Sequence, residues 1–286
     1  MQSSIGPSAN GARLAEADSR KAPVDVREVL LAPLAGKTFQ FAITAAEPAI
    51  LAGSFRLAEK AQELGLQLDQ VATDGDRLMA GSTVCRARAG AAGLARAEEQ
   101  LIGLIGKASG VATAAAELVA ISRGRSRIVC GAWKKVPAEI RLDLRDAAAL
   151  GGAGIRMLDR PFVYLDKNHV RMLGGVVRAV RQARLVEGRA IVVQLRGDGG
   201  SIADEAEAAA AEGAEMLMVD TGRVADLLAV AERVRSRVER HEAQLAFGGG
   251  VRAAHLESVI EAGAHVVDVG RAILDAPMVD FRLDVG

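Results

Sequence analysis

Six short apolar runs between about residues 126 and 272 each end in polar or glycine residues that could carry out chemistry. The first four runs end before Lys134-Lys135, Asp166-Lys167-Asn168-His169, Arg196-Gly197-Asp198 and Asp220-Thr221-Gly222. Cationic side chains at such positions neutralise anions, and a single aspartate can bind Mg²⁺ or ribose hydroxyls. A solvated loop residue or a helix N-cap is the alternative interpretation for each.

The last two runs end in the glycine segments Gly248-Gly249-Gly250 and Gly270-Arg271. Glycine has no Cβ, so its N–H group can approach an anion closely. Either segment alone is more typical of a tight turn. Together, on consecutive late strands, they predict a phosphate site, because β/α barrels usually bind phosphate there.

The apolar runs are too short to be helices, and helical patterns separate them. This alternation predicts buried parallel strands in repeated βα units. We therefore expect an open β/α barrel over residues 125–274, with the residues that follow each strand at the mouth where barrels perform chemistry.

Residues 25–124 predict a smaller N-terminal α/β sandwich (α+β) domain, onto which residues 275–286 could pack back. Strand patterns at Thr38 to Ala45, Leu66 to Val71 and Ser82 to Ala87 accompany an amphipathic segment at Ile50 to Leu64. Asp74-Gly75-Asp76 is interpreted as a turn rather than a metal site. Gly93 to Ser122 predicts a helix pair interrupted at Ser109-Gly110, and residues 1–24 predict a mobile extension.

The composition excludes some classes of function. Thirty-six basic residues balance thirty-six acidic ones and only 3% of residues are aromatic, so we expect no nucleic-acid partner. No apolar run approaches the roughly 20 residues of a membrane span, and we expect no membrane partner. Cys85 and Cys130 form no metal-binding pattern, which favours two buried thiols in a reduced, cytoplasmic protein.

A longer series of segments then becomes recognisable by its order along the chain. The series comprises Asp74-Gly75-Asp76, Ala80-Gly81, Ala97-Glu98, Ser109-Gly110-Val111-Ala112-Thr113, Lys134 before Pro137, Gly151-Gly152, Lys167-Asn168-His169, Val219-Asp220, Gly249-Gly250, Val269-Gly270 and the closing Val279 to Asp284. It resembles the quinolinate phosphoribosyltransferase family, the carboxylating nicotinate-nucleotide pyrophosphorylases, over about residues 26 to 286. The resemblance implies the two-domain fold above and a homodimer whose active site the partner's N-terminal domain completes. It also implies transfer of a phosphoribosyl group from phosphoribosyl pyrophosphate, with Mg²⁺, onto a pyridine nitrogen.

The sequence departs from the family pattern at charged positions. The family's Thr-Arg-Lys-Thr segment is Ala132-Trp133-Lys134-Lys135 in this chain. Glu99 stands where the family has an arginine after Ala-Glu, and of the family's His-Arg pair only the arginine remains, as Arg156. Lys-Asp-Asn-His has become Asp166-Lys167-Asn168-His169, and Gln194 replaces a carboxylate. Quinolinate is a dianion that needs several cationic partners. We therefore expect a divergent paralogue that acts weakly or not at all on quinolinate.

The leading hypothesis is a phosphoribosyltransferase-like enzyme that acts on another small nitrogen heterocycle. In it, Lys134, Lys167 and Arg271 hold anionic oxygens, and Lys167 takes over the charge of the position now occupied by Asp166. Asp220 holds Mg²⁺ or ribose, with metal binding weakened by Gln194. Further substrate-binding candidates are Lys135, Arg156, Gln194, Gly248, Gly249, Gly250 and Gly270. Two alternatives remain open: another reaction on a phosphorylated small molecule, and a non-catalytic protein that binds an oxyanion or nucleotide.

Overall fold

The computed structural model describes residues 25–237 and 243–286, so the extension predicted for residues 1–24 lies outside the described residues. The elements, in chain order, are α1 (Val26–Leu30), β1 (Thr38–Ala45), β2 (Ala49–Ile50), α2 (Ser54–Glu63), β3 (Gln67–Val71), β4 (Arg77–Leu78), β5 (Thr83–Gly90), α3 (Ala91–Ser122), β6 (Arg127–Val129), α4 (Ala138–Leu150), β7 (Phe162–Leu165), α5 (Lys167–Met172), α6 (Val176–Ala183), β8 (Ala190–Leu195), α7 (Ile202–Ala211), β9 (Met216–Val219), α8 (Val224–Arg237), β10 (Gln244–Phe247), α9 (Ala253–Glu261), β11 (Val266–Asp268), α10 (Arg271–Leu274) and β12 (Phe281–Val285). Short 3₁₀ turns lie at Ala32–Leu34 and Trp133–Lys135.

The N-terminal layer is an antiparallel sheet with the strand order β12-β1-β5-β3. The inward-facing side chains of β1 alternate with more exposed ones, and Phe41 and Ile43 enter the core. This core also takes apolar side chains from α2 and from the first half of α3. The last strand of the chain, β12, pairs with β1 in the register Phe41↔Val285, so this sheet is built from both ends of the chain.

The second layer is a six-stranded parallel sheet with the order β6-β11-β10-β9-β8-β7, covered by helices α4 to α9. Every residue of β8 and β9 is buried, because helices pack on the outside while other side chains fill the inside of the curled sheet. One apolar cluster lies under the helices, and a smaller one around Val192 and Met216 fills the interior. The predicted α/β class with an open β/α barrel is confirmed.

The predicted break in the long helical region is wrong. Residues 91–122 form a single helix, α3. Ser109 does not interrupt it; its hydroxyl oxygen lies 3.0 Å from the Ala52 amide nitrogen and accepts its hydrogen bond. At Gly110 the missing side chain leaves room for the C-terminal segment, since a Cβ there would lie 2.0 Å from the Pro277 carbonyl oxygen.

By length and composition alone, α3 could cross a membrane, which no segment of the sequence was expected to do. Half of its most apolar 18-residue window is buried in the structure. The helix contacts both cores. Leu101 belongs to the core of the N-terminal layer, and Val111 belongs to the core under the barrel helices. Contacts within the protein therefore account for about half of this apolar window.

The aspartates of Asp74-Gly75-Asp76 fix a turn. Asp74 Oδ1 accepts a hydrogen bond from the Ser54 amide at 2.7 Å, and Asp76 Oδ2 accepts one from the Thr73 amide at 2.9 Å. Gly75 adopts φ +93°, which glycine tolerates at low cost. These contacts engage the carboxylates with backbone amides.

Candidate functional site

A cavity of about 500 Å³ opens at the carboxyl ends of the parallel strands. Most of the residues predicted from the sequence line it, namely Lys134, Lys135, Arg156, Gln194, Asp220, Gly249, Gly250, Gly270 and Arg271. Lys167 and Gly248 are absent from the lining. Most of the predicted site residues therefore surround one cavity, and their roles remain predictions.

Lys134 and Lys135 reach the cavity from the 3₁₀ turn that follows β6. Trp133 holds this turn against the barrel, because its indole Nε1 donates a hydrogen bond to the Ile155 carbonyl oxygen at 3.2 Å. The Arg145 guanidinium lies 5.7 Å from the centre of the indole ring, within the range of a cation–π contact. Trp133 thus both supports the turn and lines the cavity.

Four cationic side chains line the cavity: Lys134, Lys135, Arg156 and Arg271. Within residues 25–237 and 243–286, none of them lies within ion-pair distance of a carboxylate. Their charges are therefore available to an anionic ligand.

Gln194 connects two neighbouring strand ends. Its side-chain oxygen accepts a hydrogen bond from the Lys167 backbone amide at 2.7 Å, which leaves its Nε2 to donate to Asp220 Oδ2. Arg196 holds the same region, because its Nη1 donates to the Asp220 carbonyl oxygen at 2.8 Å. Asp220 is thereby fixed at the mouth of the barrel.

The predicted role of the Lys167 side chain in charge neutralisation is not supported by its position. Lys167 is the first residue of α5 and is exposed, and its side chain is not part of the cavity lining. Adjacent residues at the end of a strand point in different directions. Because this chain has Asp166-Lys167 where the family pattern has Lys-Asp, the aspartate points into the cavity and the lysine points away from it.

Asp166 is a lining residue that the sequence did not identify as a site residue. It caps α5, since its Oδ1 accepts hydrogen bonds from the Asn168 and His169 amides at 2.9 and 3.0 Å and from His169 Nδ1 at 2.8 Å. The His169 amide, followed by the imidazole, keeps the pKa of this carboxyl below its ordinary value although partial burial opposes the effect. Asp166 therefore stays ionised near neutral pH.

Asp268 and Tyr164 also line the cavity and were not predicted as site residues. Asp268 Oδ1 accepts a hydrogen bond from the Gly131 amide at 2.7 Å. Burial, together with the charge of Asp220, raises the pKa of Asp268 to about 6 against the effects of Gly131 and Lys135. The pKa of Tyr164 is raised by burial and then by the charges of Asp220, Asp268 and Asp166.

The glycine edge, defined as Gly249, Gly250 and Gly270, forms one side of the cavity. Within the described part of the chain, its three amides donate to no backbone or side-chain acceptor. Gly248 differs, because its amide donates to the Val219 carbonyl oxygen at 2.9 Å and is not available to a phosphate. Gly249 has φ +103°, and a Cβ there would lie 2.5 Å from the Gly222 nitrogen.

Among residues 25–237 and 243–286, no group of three or more histidine, cysteine, aspartate or glutamate side chains could hold a metal ion. Asp220 Oδ2 is engaged by Gln194, while its Oδ1 has no hydrogen-bond partner in the same part of the chain. One available carboxylate oxygen fits a Mg²⁺ ion that obtains its other ligands from phosphate and water. It does not fit a metal held by protein ligands alone.

Comparisons with known proteins show which family the chain belongs to. Residues 111–284, more than half of the chain, match the family model "Quinolinate phosphoribosyl transferase, C-terminal domain". The chain is 28% identical over 247 residues to the human "Nicotinate-nucleotide pyrophosphorylase [carboxylating]", covering 85% of this chain and 81% of the human protein. It is 25% identical over 214 residues to the probable enzyme of the same name from Archaeoglobus fulgidus, covering 74% and 81% of the two chains.

Solved structures show the same fold. The nicotinate-nucleotide pyrophosphorylase from Ehrlichia chaffeensis superimposes with a TM-score of 0.78 at 18% identity, covering 92% of each chain. The one from Francisella tularensis gives a TM-score of 0.73 at 21% identity, covering 91% of this chain and 94% of that chain. Given the family match over more than half of its length, the chain belongs to the quinolinate phosphoribosyl transferase family.

Proposed function

We propose that the protein transfers a phosphoribosyl group between phosphoribosyl pyrophosphate and a small nitrogen heterocycle other than quinolinate. The names of its relatives support the transfer. The observation that carries the proposal is a single cavity that combines four cationic side chains without ion-pair partners in the described residues with an edge of available glycine amides. This combination suits a ligand that has phosphate groups at both ends.

The pyrophosphate end of the ligand is assigned to Lys134, Lys135 and Arg156. As the bond between the anomeric carbon and pyrophosphate breaks, negative charge accumulates on the departing oxygen. Cations already positioned around that oxygen stabilise the transition state electrostatically, and they need no large rearrangement during the reaction. Binding both reactants in one cavity would also lower the entropic cost of transfer.

The 5′-phosphate is assigned to the glycine edge and Arg271. Backbone amides without an acceptor form hydrogen bonds to phosphate oxygens, and the absence of Cβ atoms permits close approach. Arg271 adds a planar donor group that pairs well with phosphate. The ribose would then lie between the two phosphate-binding ends, beside Asp220.

Mg²⁺ is proposed to enter with the pyrophosphate and to bind Asp220 Oδ1. When bound, the ion would neutralise part of the pyrophosphate charge. Gln194 presents an amide donor rather than a second carboxylate to this place, and it already engages Asp220 Oδ2. We therefore expect Mg²⁺ to bind weakly without pyrophosphate.

The different acceptor is proposed because the cationic partners of a dianion are missing. Trp133 stands where the family pattern has arginine, and Asp166 stands where it has lysine. Both residues line the cavity. One change removes a positive charge and the other reverses it, so two carboxylates of quinolinate would meet an apolar ring and a fixed negative charge.

We further propose a cytoplasmic homodimer in which the partner's N-terminal domain covers the cavity mouth. Exposed apolar side chains on that domain support an additional contact, since Val26, Leu30, Phe55 and Met79 are each at least 65% exposed. The described cysteines, Cys85 and Cys130, are both free and buried, which is compatible with a reducing compartment.

The proposal is tested by titrating the protein with phosphoribosyl pyrophosphate in a calorimeter, with and without Mg²⁺, and by assaying pyrophosphate release. Lys134→Gln should weaken binding about tenfold, the loss expected for one hydrogen bond to a charged group. Arg184→Gln is the control, because Arg184 is an exposed cation of the barrel domain that does not line the cavity.

Failure of phosphoribosyl pyrophosphate to bind, or an equal effect of the two variants, would contradict the proposed function. Efficient turnover of quinolinate would contradict the altered acceptor. Tight binding without turnover of any heterocycle would instead favour a non-catalytic binding protein.

A further inference from the structure

Three carboxylates in the cavity each use only one oxygen within the protein. Asp166 accepts all of its hydrogen bonds on Oδ1, Asp268 accepts on Oδ1, and Asp220 accepts on Oδ2. Across residues 25–237 and 243–286, the second oxygen of each has no hydrogen-bond partner. All three residues line the same cavity, so these oxygens are available to hydrogen-bond donors of a ligand.

Tyr164 lines the cavity together with the three carboxylates. Two of these lie near each other, because Asp220 Oδ1 and Asp268 Cβ would each be 3.5 Å from a Cβ placed on Gly248. The charges of Asp220, Asp268 and Asp166 all act on the Tyr164 hydroxyl and raise its pKa. Tyr164 is therefore neutral at physiological pH. Its ring and hydroxyl form part of the cavity wall beside the three acidic groups.

The rest of this wall is apolar and suited to a flat ring. Trp133, Ile155, Met157, Phe162 and Met218 line the cavity together with Tyr164. Aromatic and thioether side chains make favourable contacts with heterocyclic faces. A flat ring in this cavity would find apolar side chains for its faces and carboxylate oxygens for donors on its edge.

We propose that the acceptor is an uncharged heterocycle that bears amino or ring N–H groups, and that Asp166 and Asp268 recognise these donors. The proposal rests on the phosphoribosyl transfer proposed above. Asp220 is assigned to the ribose and Mg²⁺, which leaves the other two carboxylates for the acceptor. A carboxylate-bearing ring is rejected at this place, because like charges oppose each other and neither anion can donate a hydrogen bond.

Asp166 is the specificity-determining residue in this arrangement. Its position carries lysine in the family pattern, so the change reverses the charge presented to the acceptor. The Asn168 and His169 amides fix its Oδ1, and the other oxygen remains for the ligand. Because the group is held at the end of a helix, it does not need to reorganise when the acceptor binds.

The test compares four rings of similar size: 3-aminopyridine and 2-aminopyrimidine, which carry amino groups, and nicotinate and quinolinate, which carry carboxylates. Each is titrated into protein that has been preincubated with pyrophosphate and Mg²⁺, which fill the anion site without permitting transfer. We expect the amino rings to bind at least about tenfold more tightly than the carboxylate rings, from the gain of one hydrogen bond to a charged group.

Asp166→Asn isolates the charge, because asparagine caps a helix about as well as aspartate. It should weaken binding of the amino rings about tenfold, while Asp166→Lys should improve binding of nicotinate. Asp198→Asn is the control, since Asp198 pairs with Arg171 outside this cavity.

Carboxylate rings that bind as tightly as amino rings would overturn the proposal, as would an unchanged ranking in Asp166→Asn. Failure of all four rings to bind would also count against it. A separate titration with phosphoribosyl pyrophosphate tests the transfer function, so either proposal can fail while the other holds.

Discussion

Replacement of Asp268 by asparagine should stabilise the protein at neutral pH and have a smaller effect in acid. Asp268 is partly buried at the end of β11, and its pKa rises from 3.8 to about 6 chiefly because this burial disfavours the charged form. The folded chain therefore holds this proton more tightly than the unfolded chain. Its contribution to stability falls as pH rises from about 4 to about 6 and stays low above that range.

The size of the effect follows from the two pKa values. Ionising Asp268 in the folded rather than the unfolded chain costs about 3 kcal/mol at pH 7.5 and about 1 kcal/mol at pH 4.5, as an upper bound. Asparagine avoids this cost, and its side-chain oxygen can still accept the hydrogen bond of the Gly131 amide. At about 2 to 4 °C per kcal/mol, the variant should melt up to about 6 to 12 °C higher at pH 7.5.

Melting temperatures of the wild type and Asp268→Asn, recorded by differential scanning calorimetry at both pH values, measure this difference. Asp166→Asn is the comparison, because the pKa of Asp166 is lowered and its carboxylate should stabilise the folded state at neutral pH. A stabilisation by Asp268→Asn that is equal at pH 4.5 and pH 7.5, or a destabilisation at pH 7.5, would refute the reasoning.

Three further outcomes are expected. Gly110→Ala should destabilise the protein by about 2 kcal/mol or more in denaturant titrations, because the new Cβ would collide with the Pro277 carbonyl oxygen. Gly103→Ala in the same helix meets open space and should stabilise the protein by about 0.5–1 kcal/mol. Equal effects of the two variants would contradict the contact between Gly110 and Pro277. Arg271→Gln should weaken inorganic phosphate binding about tenfold in calorimetry while the exposed Arg184→Gln does not, and an unchanged affinity would exclude Arg271 from the phosphate site. Light scattering at micromolar concentration should report a dimer, and a stable monomer would contradict the proposed assembly.

The parallel strands could be predicted closely from the sequence. The observed ends of β7, β8 and β9, at Leu165, Leu195 and Val219, directly precede the polar segments that begin at Asp166, Arg196 and Asp220, because polar loop residues leave little freedom in where each apolar run ends. The helix α3 was harder to predict, because Ser109-Gly110 indicates a helix break. The structure has no break there, and the two residues instead contact Ala52 and Pro277. Those partners are distant in sequence, so no local pattern could reveal them.

The same distinction applies to the site. Lys134 and Asp220 were found because each follows a recognisable strand, and the structure places both in the cavity lining. Asp268 is the last residue of β11, and Asp220 directly follows β9. This shared position at a strand end was a signal in the sequence that Asp268 could also belong to the site. The inward direction of Asp166 depends on the helix cap that it forms, which only three-dimensional geometry shows.

The glycines also change how the phosphate site should be tested. Gly249→Val would block the close approach of a phosphate to the glycine edge. The left-handed backbone at Gly249 and its proximity to Gly222 make that variant strained whether or not phosphate binds. A variant of Arg271 perturbs the ligand contact without this ambiguity.

The pairing of β12 with β1 has a consequence for how the protein is made. A ribosome releases the residues of β1 first, yet one edge of β1 has no partner until β12, which follows the barrel in the chain, emerges. During synthesis the backbone edge of β1 stays unpaired while the whole barrel is translated. Unpaired strand edges invite association with other chains, so the nascent protein is exposed to misassembly for as long as the barrel is being translated.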